Sequence, residues 1–255
     1  MMIAKVEDTL KEILARLKSG QPFAYNRVGD GALMLINGWK GDASDHYYSP
    51  KLRDLLKLAL QLDDPRFMMG LHCGFEVEPF MTPQSFKPHG NDLELEEIYK
   101  GVVTDWGERT LWSAVAFQAG IIHYPAVTKE IVELIAAKKV AVVAGSHLKG
   151  VEKFFGPGAV FIEAPVTNAF DVIEDLTTKV YEVQPDIVVT GCGMAGVLLQ
   201  YFLFIDNCNI TTLNLGSFMD ALMGQNTRGW IGENLDAINS FVQLCTFPST
   251  PQDVK

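Results

Sequence analysis

The chain is short of positive charge. Its 255 residues hold 21 lysines and arginines against 31 acidic residues, for a formal net charge of −10. A protein that grips a nucleic-acid backbone over a wide surface usually carries a basic face, and this balance counts against that class. Cysteine is scarce as well. Cys73, Cys192, Cys208 and Cys245 form no C-x-x-C pair, which argues against a zinc cluster or a disulfide framework. They sit in apolar contexts and read as the reduced thiols of a cytoplasmic protein. No apolar run reaches the roughly 20 residues of a membrane-spanning helix. The longest, around 195–205, reads as a buried helix. Lys5, Glu7 and Asp8 charge the N-terminus at once, which does not suit a signal peptide. The sequence has no internal repeat, low-complexity segment or linker. It also has no H-E-x-x-H, no Walker A lysine and no serine nucleophile elbow. His46, His72, His89 and His123 are scattered and read as structural.

What is present is ample core material, since 48% of the residues are hydrophobic. The pattern predicts one α/β domain over 1–255, Rossmann-like, with a mostly parallel sheet flanked by helices and a frayed tail at 248–255. A helical stripe over 3–19 stops at Gly20, and a short strand over 22–26 follows. Leu33 to Ile36 reads as a helical turn or short strand, Pro50 opens a helix through Leu62, and 67–73 reads as a buried strand. Residues 74–92, with Pro79, Pro83 and Pro88, read as a loop that packs on the protein or closes over a site. Helices are expected at 93–100 and 107–119, with Trp106 and Trp112 in the core or a pocket wall. The second half alternates apolar strands at 139–145, 160–164, 186–190 and 211–215 with helical patterns at 147–155, 168–183 and 194–205. In such a sheet, ligands bind outside the carboxyl ends of the strands.

Phe23-Ala24-Tyr25-Asn26-Arg27-Val28-Gly29-Asp30-Gly31-Ala32 carries the most chemistry. An apolar run ends in a turn bearing a cation and an anion. Gly29 and Gly31 allow a ligand close to the backbone. Asp30 suits a divalent metal or a ribose hydroxyl, and Arg27 can fork onto a phosphate. The plainer alternative is an Arg–Asp pair neutralised on a tight turn. Gly191-Cys192-Gly193-Met194-Ala195-Gly196 matches G-x-G-x-x-G between a strand and a helix. The acid expected about 20 residues on is missing, because that strand ends Leu213-Asn214-Leu215-Gly216. A nicotinamide dehydrogenase is therefore disfavoured, although the Gly191 and Gly193 turn still suits a diphosphate. Thr167 or Asn168 suits a helix N-cap, and Asn168 alternatively offers its amide to a base or sugar. Gly145, Ser146, His147 and Lys149 form a turn that suits an anion. For His147 alone, a capping or surface role is the simpler account.

Five motifs stand in one order: Arg27-x-Gly29-Asp30-Gly31, the Gly145 turn with Lys149-Gly150, Pro165-x-x-Asn168-Ala169-Phe170, the Gly191–Gly193 turn, and Leu215-Gly216-Ser217-Phe218-Met219-Asp220. In this order they resemble the GT-D type glycosyltransferases, formerly domain of unknown function 1792, over about residues 20–223. The resemblance implies a Rossmann-like fold that binds a nucleotide-sugar, typically a UDP-sugar, and passes the sugar to a hydroxyl acceptor. It also implies a divalent ion, manganese or magnesium, on the diphosphate. The family's first motif normally ends in glutamate, where this chain has Ala32. It has Lys149 where the family tends to arginine and Ser217 where it tends to histidine. The resemblance therefore leaves Asp30 as the one metal ligand of the first motif, and a metal held weakly and only with nucleotide. Arg27 and Lys149 face the leaving diphosphate. Asp220, Asp42 and Asp45 are candidate bases by type, and Asp30 and Asp220 are the chosen catalytic pair. The implied acceptor is a glycan or glycoprotein, and the acidic balance weighs against a modified DNA base. Ala32 also motivates an alternative: a non-catalytic module that kept the fold and nucleotide-sugar binding but lost transfer.

Overall fold

The computed structural model describes residues 2–39, 46–71, 109–206 and 209–245. The expected loop at 74–92, the helix at 93–100, and Trp106, Asp42, Asp45, Cys73 and Cys208 lie outside the described residues, as does the tail.

One sheet organises the chain. Among the described residues it has eight strands: β1 (Met2–Ile3), β2 (Ala24–Val28), β3 (Phe67–Leu71), β4 (Thr110–Ser113), β5 (Val140–Gly145), β6 (Val160–Ala164), β7 (Ile187–Gly191) and β8 (Thr211–Asn214). Their order is β1-β4-β3-β2-β8-β7-β5-β6, and every pairing is parallel. From β2 the chain steps outward through β3 to β4. It then crosses to the far half, lays β5, sets β6 outside it, and returns through β7 and β8 to meet β2. β5 and β7 thus send the chain in opposite directions, which opens a crevice at their carboxyl ends. β5 is buried at all six positions, as the uninterrupted Val-Ala-Val-Val-Ala-Gly run requires of a strand covered on both faces.

The flanking helices are α1 (Val6–Ser19), α2 (Asp30–Ile36), α3 (Pro50–Gln61), α4 (Ala116–His123), α5 (Pro125–Ala136), α6 (Ile173–Val183), α7 (Gly193–Ile205), α8 (Phe218–Leu222), α9 (Gly229–Glu233) and α10 (Leu235–Leu244). α1 buries Val6, Leu10 and Ile13 and ends at Gly20, whose φ of 70° is left-handed. α3 starts on Ser49, whose hydroxyl accepts from the Leu52 amide at 3.0 Å, with Pro50 as its first residue. α7 is apolar on nearly every side because it is covered on nearly every side, by β2 and β8 beneath and α3 and α6 beside it. No helix among the described residues is long and apolar enough to cross a membrane.

Three local expectations are corrected. The helix expected over 107–119 gives way to β4, followed by α4. Thr110 to Ser113 are claimed by both neighbours, with Gly70 opposite Trp112 and Met2 opposite Thr110, so pairing overrides the local pattern. Trp112 is half-buried against the main core. The helical pattern at 147–155 is two 3₁₀ segments, Ser146–Leu148 and Val151–Phe155, separated by Gly150 at φ 102°. β2 runs on to Val28, so Arg27 belongs to the strand rather than to the turn. α5 escaped the sequence reading although its signals are present: Pro125 opens it, and Thr128, Ile131, Val132 and Ile135 line one buried face.

Candidate functional site

Every motif singled out in the sequence lies at the carboxyl edge of the sheet. Arg27 is the last residue but one of β2, opposite Gly70 of β3. Its Nε donates to the Ala114 carbonyl just past β4 at 2.7 Å. The rest of the guanidinium lies across Gly216. A Cβ at that position would stand 1.9 Å from Arg27 Nη1, and Gly216 holds φ 52°. The first and last motifs therefore meet through a side chain that only a glycine leaves room for. Gly29 precedes α2, and an added Cβ there meets nothing within 4 Å among the described residues. Asp30 is the first residue of α2 and Gly31 the second. Ala32 is 4% exposed and packs in the apolar cluster beneath α2.

At the end of β5, Gly145 makes room for the ring of His147, whose Cε1 and Nδ1 would lie 2.7 Å from a Cβ. Lys149 is exposed, and its ammonium bonds to none of the described residues. Gly150 turns the chain back, its amide held by the Glu152 carboxylate at 2.8 Å. At the end of β6, Asn168 adopts φ 52° and makes no side-chain cap. Its Oδ1 instead accepts from the Tyr47 amide at 2.8 Å, which corrects the capping role for Asn168 and ties the 46–49 segment to the sheet edge. The Gly191 turn also owes its shape to the protein. A Cβ on Gly191 would meet Met219 Cε at 2.1 Å, and one on Gly196 would meet Thr190 Oγ1 at 3.1 Å. Gly191 thus seats a methionine from the last motif, and Gly196 allows close packing of α7 on β7. Gly193 opens α7 with φ 58°. Between the two, Cys192 is buried, and burial pushes its thiol up to about 12, so it is unreactive at neutral pH.

Asp220 sits in α8 with a side chain only 12% exposed. Its Oδ1 accepts from the Thr227 hydroxyl at 2.8 Å and lies 3.7 Å from His147 Nε2. Gln225 bridges the same two motifs. Its amide nitrogen donates to the Asp220 carbonyl at 2.9 Å and its side chain to the His147 carbonyl at 2.6 Å. Ser217 accepts from Trp230 Nε1 at 3.2 Å.

The sequence matches no family model and no curated protein. Solved structures do resemble it. One is described as a new glycosyltransferase (DUF1792) from Streptococcus sanguinis; the TM-score is 0.70 at 20% identity, covering 88% of this chain and 86% of that one. A selenomethionine-substituted domain of unknown function 1792 matches with TM-score 0.71 at 18% identity, covering 88% and 83%. A third, described as a highly conserved domain of unknown function 1792 with a distinct glycosyltransferase fold, matches with TM-score 0.66 at 17% identity over the same shares. The chain has the DUF1792 glycosyltransferase fold.

Within this DUF1792 fold, three of the sequence candidates join into contacts: Arg27 with the Gly216 turn, Asp220 with the Gly145 turn, and Gly191 with Met219. Asn168 joins a different segment, and Lys149 stands apart. The sequence reading placed His147 on an anion-suited turn, with a capping or surface role as the simpler account, and missed Thr227, Gln225 and Trp230. His147 lay inside a quoted motif, but its partner lies on another strand's loop. Thr227 and Gln225 had no sequence signal at all. The described residues include no group of three His, Cys, Asp or Glu side chains able to hold a metal. Ala32, buried in the core, offers no oxygen to a divalent ion.

Proposed function

We propose that the chain is a glycosyltransferase that moves a hexose or pentose from a nucleotide-sugar, a UDP-sugar by preference, to a hydroxyl on a glycan or glycoprotein. One observation carries this reading: on a glycosyltransferase fold, Arg27, Asp30, Lys149, Asn168 and Asp220 all stand at the carboxyl edge of the sheet, where an open α/β sheet binds ligands. Transfer requires neutralising the leaving diphosphate, and Arg27 and Lys149 supply the cations. Asn168 supplies an amide for the base or ribose, and Asp30 and Asp220 supply carboxylates. The Gly29 edge and the Gly191–Gly193 turn give the diphosphate its approach to the backbone. The acidic chain, with buried and unpaired Cys192 and Cys245, suits the cytoplasm. Calorimetry with UDP, GDP and dTDP tests the reading. We expect UDP to bind best, and failure of all three to bind refutes it.

One carboxylate and a diphosphate make a weak, ligand-dependent ion site. In the electron paramagnetic resonance of free manganese, the protein alone should leave the signal unchanged. Protein together with UDP should diminish it. A strong loss of signal without nucleotide would overturn this picture.

The buried Ala32 also favours a second reading, a nucleotide-sugar-binding module without transfer. Asp30→Ala separates the two. The transferase reading expects turnover to fall at least tenfold while the thermal midpoint stays within a few degrees. Sugar binding without any turnover in the parent protein selects the module.

A further inference from the structure

We infer that His147 is the proton acceptor for the incoming hydroxyl, with the Asp220 carboxylate standing behind it. The inference rests on the transferase reading above. A sugar transfer needs a group that takes the acceptor's proton as its oxygen attacks. Such a group must be reachable from the crevice and held in place. His147 meets both conditions. It lies at the mouth of the crevice between β5 and β7, with its side chain 40% exposed. The absent side chain of Gly145 seats its ring, and Gln225 pins its backbone carbonyl. The mostly buried Asp220 carboxylate stands 3.7 Å from Nε2 and is itself fixed by Thr227. The other role for a histidine on this turn is to hold the diphosphate. A carboxylate 3.7 Å away repels a phosphate, so the geometry favours the base.

The step balances as one displacement. The acceptor oxygen forms its bond to the anomeric carbon while its proton passes to the His147 imidazole. The bond from that carbon to the phosphate oxygen breaks, and its electron pair leaves with the nucleoside diphosphate. His147 then returns the proton to solvent.

The test compares the parent protein with His147→Gln and Asp220→Asn. The readouts are UDP binding by calorimetry and UDP release from UDP-glucose, UDP-galactose and UDP-N-acetylglucosamine, with methyl glucoside or water as acceptor. Asp220→Asn keeps an oxygen for Thr227 and removes only the charge. For His147→Gln we expect kcat to fall at least tenfold, in line with the roughly 10²–10⁴ range of general-base catalysis. The donor KM and the UDP affinity should stay within threefold. Asp220→Asn should act in the same direction, also at constant affinity. A fall in kcat of less than tenfold in His147→Gln overturns the assignment. So does a UDP affinity weakened more than threefold, which would make His147 a diphosphate ligand. Binding of UDP without release from any donor in the parent protein overturns the base and leaves nucleotide binding standing. A parent protein that binds no nucleotide refutes the transferase reading itself.

Discussion

Arg27→Ala should weaken UDP binding by about 30- to 150-fold and leave uridine binding within threefold. The estimate follows from what the side chain does. Hydrogen bonds to a charged partner contribute about 1.5–3 kcal/mol each, and a half-buried guanidinium beside a diphosphate sits toward the upper part of that range. Uridine has no phosphate and loses nothing. Gly216→Ala approaches the same end by another route. Its new methyl carbon would stand 1.9 Å from Nη1, so the guanidinium must leave its seat. The φ of 52° adds a backbone cost of about 1–2 kcal/mol. If Arg27 is the phosphate ligand and Gly216 its seat, the double variant should bind UDP no more weakly than Arg27→Ala alone. That non-additivity marks two changes acting on one interaction. Calorimetry on the four proteins checks it. Equal losses for UDP and uridine, or fully additive losses, would remove Arg27 from the diphosphate site. A smaller drop in stability is expected alongside, because Arg27→Ala strips the buried Ala114 carbonyl of its partner.

The same residues show what the sequence makes legible. β5 and β7 could be read because buried parallel strands are short, continuous apolar runs, here ending in Gly145 and Gly191. The edge strand β6 and the Thr-Thr-Leu-Asn of β8 stand out by their place in the alternation of strands and helices. β4 could not, because Thr-Leu-Trp-Ser is a strand only through its neighbours β3 and β1. In the site, glycine positions were legible but their reasons were not. Gly191 and Gly145 looked like places for a ligand to approach, whereas the structure fills those places with Met219 and His147. Gly216 drew attention only as part of a motif, yet it seats Arg27. Asn168 looked like a cap, but its partner amide lies 121 residues away. Local rules describe the backbone around a residue. They are silent on which distant side chain fills the gap, and at this sheet edge those fillers set the chemistry.

Gly156→Ala should be the most destabilising of these single substitutions. Gly156 closes the 3₁₀ segment Val151–Phe155 with φ 100° and ψ 159°. That region is open to glycine almost alone and costs other residues about 1–3 kcal/mol. Space is lacking as well. An added Cβ would stand 2.4 Å from the Ala136 carbonyl oxygen at the end of α5, with the Ala136 carbon and Cα at 3.3 and 3.4 Å. All three are backbone atoms, so no side chain can swing aside. The turn cannot retreat either, because Phe154 and Phe155 anchor it at 3% and 0% exposure. Strain and displacement together should cost about 3 kcal/mol or more. For a chain of this size each kcal/mol lowers the thermal midpoint by roughly 2–4 °C, so a fall of about 6–12 °C is expected. Gly158→Ala is the control, since an added methyl there meets nothing within 4 Å among the described residues and the backbone is not left-handed. Scanning calorimetry should find the Gly158 variant within about 2 °C of the parent. If the Gly156 variant matches it, the contact between this turn and the end of α5 is not made in solution.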